Sequence, residues 1–139
     1  MNQMDITVSP ILWQETIYLR HKVLWPTKPP EYCHVDGDKE ALHFGAFVNG
    51  VLVSVASIYS TNQVARLRKF ATLPDYQHQG IGSQLLTHII KELKKNNHTY
   101  FWCDARESAL AFYQRFGMQK SGERFYKSEV AYFKMGMTI

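Results

Sequence analysis

The sequence predicts a mixed α/β or α+β domain, a sheet with helices packed against it, and three stretches carry that prediction. "ALHFGAFVNGVLVSVASIYS" is two apolar strands around Asn49-Gly50, the strongest short hairpin-turn signal. "IGSQLLTHIIKELKK" sets Ile81, Leu85, Leu86, Ile89, Ile90 and Leu93 on one helical face. "TYFWCDA" is an apolar run of strand length. With 139 residues, 45% apolar and 20% charged, the chain is expected to form a single domain, 1–139, around one sizeable core.

In chain order, Ser9-Pro10 is expected to open a first helix, because serine caps helices and proline suits the first helical position. Trp13, Ile17, Val23 and Leu24 fit one broad face of it, and Pro26 stops it. "PTKPPEYCHVDGDKE" is a loop rich in breakers that carries Glu31, Asp36, Asp38 and Glu40. After the Asn49-Gly50 hairpin, "ARLRKFATLP" is a further strand ended by Pro74. The amphipathic helix runs to about Lys95, where Asn96-Asn97 ends it. "TYFWCDA", read as a strand buried on both faces, leads into the short helix "ESALAFYQRFG", with Gly117 as its stop. The tail "ERFYKSEVAYFKMGM" is two strands around Lys127-Ser128-Glu129. The order is helix, hairpin, strand, helix, strand, helix, hairpin.

A net charge of +4 is a mild excess without a long basic block, and no nucleic-acid-binding module is recognisable, so no nucleic-acid partner is expected. Cys33 and Cys103 lie far apart, with neither metal-site spacing nor a disulfide framework. They read as reduced thiols of a cytoplasmic protein. There is no signal peptide and no stretch apolar enough to span a bilayer, so no membrane role is expected. Aromatic strands such as "VAYFKM" are candidates for pairing between two copies in a homodimer.

Between the third strand and the amphipathic helix stands "QHQGIGSQLL". Glycine at a helix start costs about 1 kcal/mol relative to alanine, so Gly80 and Gly82 need a reason. Glycines permit positive φ and close approach of a ligand to the backbone. The first N–H groups of a helix lack internal partners and, with the dipole, attract phosphate oxygens. The amides from Gln79 to Ser83 are thus a candidate pyrophosphate cradle; equally, the glycines serve a turn that only fits the helix to the sheet. The third glycine of a dinucleotide fingerprint is missing, since Leu85 stands there, and so is a P-loop lysine.

"LRKFATLPDYQHQGIGSQLL" resembles the cofactor motif of the GNAT N-acetyltransferase superfamily, with Gln77, Gly80 and Gly82 at its defining positions. "DARESALAFYQRFGMQKSG" is similar to the second family element through Ala109, Tyr113, Phe116 and Gly117. The resemblance spans residues 40 to 135. It implies a central twisted mixed sheet of about six to seven strands flanked by helices, and transfer of an acetyl group from acetyl-CoA to a primary amine of a small molecule or peptide by direct attack. A non-catalytic acyl-CoA-binding or sensory module on the same fold is the alternative.

By the same resemblance, the backbone of Phe70, Ala71 and Thr72 meets the pantetheine arm. The turn Gln77, His78, Gln79, Gly80, Ile81, Gly82 and Ser83 holds the pyrophosphate. An N–H at Ala71 or Thr72 faces the carbonyl oxygen, and Tyr113 protonates the departing thiolate. Arg106 departs from the pattern, because many members have an asparagine there; an arginine at that position reaches for a phosphate or faces solvent. The strand positions that often supply a glutamate base read Arg66-Leu67-Arg68-Lys69, without a carboxylate. Asp36, Asp38, Glu40 and His43 are the remaining candidates. Asp36 and Asp38 are expected either to contact a cationic amine acceptor or to be solvated, and His43 either to meet the acceptor or to be a packed or surface strand residue.

Overall fold

The computed structural model describes residues 5–139. Along the chain come β1 (Ile6–Ile11), α1 (Trp13–Leu19) with a wider π-type coil continuing through Arg20–Leu24, β2 (Leu42–Val48), β3 (Val51–Thr61) and β4 (Val64–Thr72). Then follow α2 (Ile81–Lys95), β5 (Tyr100–Arg106), α3 (Leu110–Gln114), β6 (Gln119–Lys127) and β7 (Val130–Thr138). The strands form one sheet in the order β1-β2-β3-β4-β5-β7-β6. All neighbours are antiparallel except β4 and β5. The three helices and seven strands are the expected α+β architecture.

Turn chemistry sets the hairpins. Asn49 and Gly50 both have positive φ, as do Asn62 and Gln63, and Ser128 and Glu129, the backbone twist that tight two-residue hairpins require. One face of the sheet is covered by α2, which buries Ile81, Leu85, Leu86, Ile89 and Leu93 against Phe44, Val53, Ile58, Leu67 and Phe101. Each such side chain contributes about 1.5–3 kcal/mol when withdrawn from water. On the other face α1 packs Leu19 against Val55 and Ala71.

Four expectations change. Ser9 and Pro10 lie in β1, paired to Gly45 and Phe44, rather than at a helix start. The alternation of Ile6, Thr7 and Val8 is a strand signal, and an edge strand tolerates a proline. The helix begins at Trp13, where the Glu15 carboxylate accepts from the Leu12 N–H at 3.0 Å. It buries Thr16, Leu19 and Arg20, so the Trp13–Ile17 face is only half-covered. In β5, Phe101, Cys103 and Ala105 are buried while Tyr100, Trp102 and Asp104 are half-exposed, so only one face of this strand is fully covered. Finally, β7 is paired on both sides, by β5 and β6, so "VAYFKM" is not an edge on which a second copy can add.

Candidate functional site

Among the described residues the only parallel pair of strands is short. β4 and β5 stay in register from Val64↔Tyr100 to Arg66↔Trp102 and then part. β4 continues on β3 to Thr72, while β5 continues on β7 to Arg106. Between them opens a cleft of ≈ 520 Å³. Lys69 and Phe70 line one wall, Cys103 and Arg106 the opposite wall, and Tyr113 reaches in from α3.

A bulge shapes the β4 wall. Val55 pairs with Ala71 and Ser57 with Arg68, so Ala56 faces two residues, Lys69 and Phe70. Lys69 absorbs the extra residue at φ 56°. Below the bulge Leu67 faces α2; beyond it Phe70 faces α2 and Ala71 faces α1.

At the end of β4 the chain turns through Pro74–Tyr76 into the glycine segment. Two side chains tie that turn down: Gln77 Nε2 donates to the Thr72 carbonyl at 3.0 Å, and Gln79 Nε2 to the Asp75 carbonyl at 2.9 Å. His78 and Gly80 both take left-handed φ, 61° and 82°. The first helical bond runs from Gln84 N–H to the Gly80 carbonyl. Among the described residues nothing accepts from the N–H groups of His78 to Ser83, which leaves six consecutive donors at a helix start. A side chain at Gly82 would place its Cβ 3.2 Å from the Phe70 ring, so glycine lets the helix sit close to β4. These donors fit a pyrophosphate.

Tyr113 is half-buried beside Cys103. Burial, then the neighbouring Cys103, pushes its phenol well above the ordinary value, so the hydroxyl keeps its proton. Cys103 is pushed up to about 12, first by burial and then by Asp104, and stays a thiol. Arg106 lines the cleft and is exposed, without an ion pair among the described residues.

Asp38 is neither solvated nor placed to meet an acceptor, and His43 is a packed strand residue. Asp38 is 1% exposed and both its oxygens are engaged. Oδ2 accepts from Arg20 Nη1 and from the Val35 N–H, each at 2.8 Å; Oδ1 accepts from Tyr59 Oη at 2.5 Å and Arg20 Nη2 at 3.1 Å. His43 has Ser57 Oγ at 2.7 Å on one ring nitrogen and the Asp38 carbonyl at 2.7 Å on the other. Burial holds the imidazole below its usual pKa, hence neutral. This network braces the α1 side of the sheet from within and does not line the cleft, so neither residue meets an acceptor there. Asp36 is exposed and apart from it. Sequence reasoning missed Arg20 and Tyr59, which lie 18 and 21 residues from Asp38 with no local spacing to mark them.

A parallel pair that splays into a cleft, a turn of unpartnered amides at the start of α2 and a protonated phenol in the cleft fit an acyl-group transferase. The chain belongs to the GNAT acetyltransferase family: the family model "Acetyltransferase (GNAT) domain" matches residues 19–139. It is 32% identical over 129 residues to "Uncharacterized N-acetyltransferase YitI" of Bacillus subtilis (strain 168), covering 86% of this chain and 87% of that protein. It is 35% identical over 83 residues to the [ribosomal protein bS18]-alanine N-acetyltransferase of Escherichia coli (strain K12), covering 58% and 56%. Among solved structures, the Escherichia coli ribosomal-protein-S18-alanine N-acetyltransferase superposes with a TM-score of 0.81 at 23% identity, over 96% of this chain and 94% of the other. A Thermoplasma acidophilum PaiA N-acetyltransferase in complex with coenzyme A gives 0.72 at 18% identity, over 98% and 100%. The protein is an acyltransferase. Among the described residues no helix is long and apolar enough to cross a membrane.

Proposed function

We propose that this protein transfers an acetyl group from acetyl-CoA to the primary amine of a small molecule or peptide by direct attack. The six unpartnered amides from His78 to Ser83 carry the reading, because they form a ready anion cradle at the start of α2, past the end of the β4 strand that walls the cleft. When bound, acetyl-CoA supplies an activated acetyl group and a thiolate leaving group.

The turn and the backbone of Phe70 to Thr72 hold the donor along the β4 wall. That placement brings amine and thioester together, which lowers the barrier by about 7–11 kcal/mol when the alignment is good. The N–H at Ala71 or Thr72 donates to the carbonyl oxygen as charge develops. The amine nitrogen forms the C–N bond as the C–S bond breaks; Tyr113 Oη gives its proton to the sulfur and regains one from solvent, and the nitrogen loses one to water. Solvent takes that proton because Asp104, the one carboxylate lining the cleft, is already held by Arg66 at 2.9 Å and Lys127 at 3.1 Å. Cys103, kept as a thiol, is a poor nucleophile, which favours direct attack over an acyl-enzyme. The two buried free thiols suit a reducing compartment, and we assign the protein to the cytoplasm.

The test is calorimetry with coenzyme A and acetyl-CoA, followed by an assay of free coenzyme A release with a panel of amines. Saturable binding and amine-dependent release are expected. No uptake of coenzyme A at millimolar concentration sinks the proposal.

A further inference from the structure

The cleft carries five cations, Arg66, Arg68, Lys69, Arg106 and Lys127, against one carboxylate, Asp104. Arg66 and Lys127 already share Asp104. Among the described residues no carboxylate pairs with Arg68, Lys69 or Arg106.

Arg68 and Lys69 are consecutive, and simple alternation along a strand sends consecutive side chains to opposite faces. The bulge at Lys69 overrides that rule. The Arg68 guanidinium lies 5.6 Å from the Tyr59 ring centroid and Lys69 Nζ 4.1 Å from that of Trp25, both on the α1 side. Phe70 then returns to the α2 side against Gly82. Both cations are half-buried rather than ordinary exposed strand charges. Like charges held together while losing water repel each other. Lys69 shows the strain: burial first, then Arg68, Arg20, Lys127 and Arg66, brings its ammonium down to about 8. An anion delivered beside them relieves both penalties.

The donor's phosphates do not fill this role. Their cradle starts α2, which packs on the opposite face of β4, and the strand from Lys69 to Thr72 alone spans roughly 10 Å. On the α1 side the cleft has aromatic walls, Trp25, Tyr32 and Tyr132.

The geometry points to an acceptor that is itself anionic: a small primary amine bearing a carboxylate or phosphate, with its oxyanion held by Arg68 and Lys69 and its apolar part against Trp25 and Tyr132. Arginine and lysine together supply a planar fork and a point charge suited to such an oxyanion. This rests on the acetyl-transfer reading above and makes a cationic polyamine a poor acceptor.

Matched acceptors test it: O-phosphoethanolamine against ethanolamine, phenylalanine against phenylalaninamide, and spermidine as a polycation, each followed by coenzyme A release. In at least one pair the anionic member is expected to show a kcat/KM about tenfold or more above its neutral partner, and Arg68→Gln or Lys69→Met to shrink that ratio about fivefold. Equal values in both pairs, or preference for spermidine, overturn the proposal while leaving acetyl transfer intact. A second readout needs no turnover: tryptophan fluorescence titrated with inorganic phosphate, with and without coenzyme A. A saturable response that disappears in Trp25→Phe and weakens in Lys69→Met is expected; no saturable response overturns the anion site. Failure of coenzyme A binding instead strikes the transferase reading, and the phosphate titration then decides the anion site alone.

Discussion

Arg20 and Asp38 form an ion pair at 2.8 Å in which neither side chain reaches solvent. Tyr59, Ser57, the Val35 N–H and the Cys33 carbonyl add hydrogen bonds that leave Arg20 Nε without a partner, so two charges that are costly to bury singly largely satisfy each other. The pair locks the coil after α1 and the loop before β2 onto β3, the layer from which Leu24, Trp25 and Tyr32 reach the cleft.

Asp38→Asn leaves the Arg20 charge buried without its partner, and we expect a loss of about 3–5 kcal/mol in denaturant unfolding. An Asp38→Asn protein as stable as the parent removes the pair from the account of the fold.

Acid acts on the same network. Burial alone pushes the Asp38 carboxyl up, but hydrogen bonds from Arg20, Tyr59 and Val35, with the Arg20 charge, outweigh it and hold the group at about 2 against an ordinary 3.8. A carboxyl lowered in the folded state stabilises the fold above its unfolded value, and that contribution is lost as pH falls through the folded one. The His43 imidazole is also lowered, from 6.5, mainly by burial, so its contribution begins to fade as pH falls below 6.5. Thermal unfolding across pH is expected to show Tm declining from about pH 6.5 downward and again between about 3.8 and 2, with His43→Gln flattening only the first decline.

Tyr113→Phe keeps the ring on the sheet and removes the proton. Coenzyme A affinity should stay within about twofold while kcat falls about tenfold or more, the usual scale of a lost acid. Steady-state kinetics with calorimetry separate the two; an unchanged kcat removes Tyr113 from the chemistry.

Gly80→Ala introduces a Cβ at φ 82°, where it meets no neighbouring atom but the backbone itself is strained by about 1–2 kcal/mol. The amide cradle then relaxes out of shape. Calorimetry should report coenzyme A binding weakened about fivefold or more, with Tm lowered by only a few degrees.

The Lys69 ammonium near 8 gives the anion site a pH signature. Above about pH 8 the lysine becomes neutral, so the preference for an anionic acceptor over its neutral partner should shrink as pH rises from 7 to 9. The ratio is taken within the O-phosphoethanolamine and ethanolamine pair, whose alkyl amines both titrate above this range. In Lys69→Met the ratio should be flat across the same range.

Local pattern was enough for much of this protein. Asn49-Gly50 marked its hairpin because few residues accept positive φ at both turn positions. The spacing of Ile81, Leu85, Leu86, Ile89 and Leu93 marked α2 because a helix repeats its buried face over neighbouring residues. Gln77, Gly80 and Gly82 marked the turn into α2 because its conformation is set within one short segment. Where two local signals competed, as Ser9-Pro10 did with the alternation of Ile6 to Val8, the outcome depended on whether β2 was there to pair, which no window of sequence contains.

Tertiary structure alone decided the rest. Asp38 is a carboxylate on a breaker-rich loop, and only the arrival of Arg20 and Tyr59 from distant elements turns it from a solvated charge into a buried brace. Lys69 reads as one more exposed strand cation until the mismatch of β4 against β3 turns it toward Trp25. Side-chain chemistry is written in the chain, but burial and facing arise from contacts between segments far apart along it, and those contacts determine which charges are neutralised by partners and which are left for a ligand.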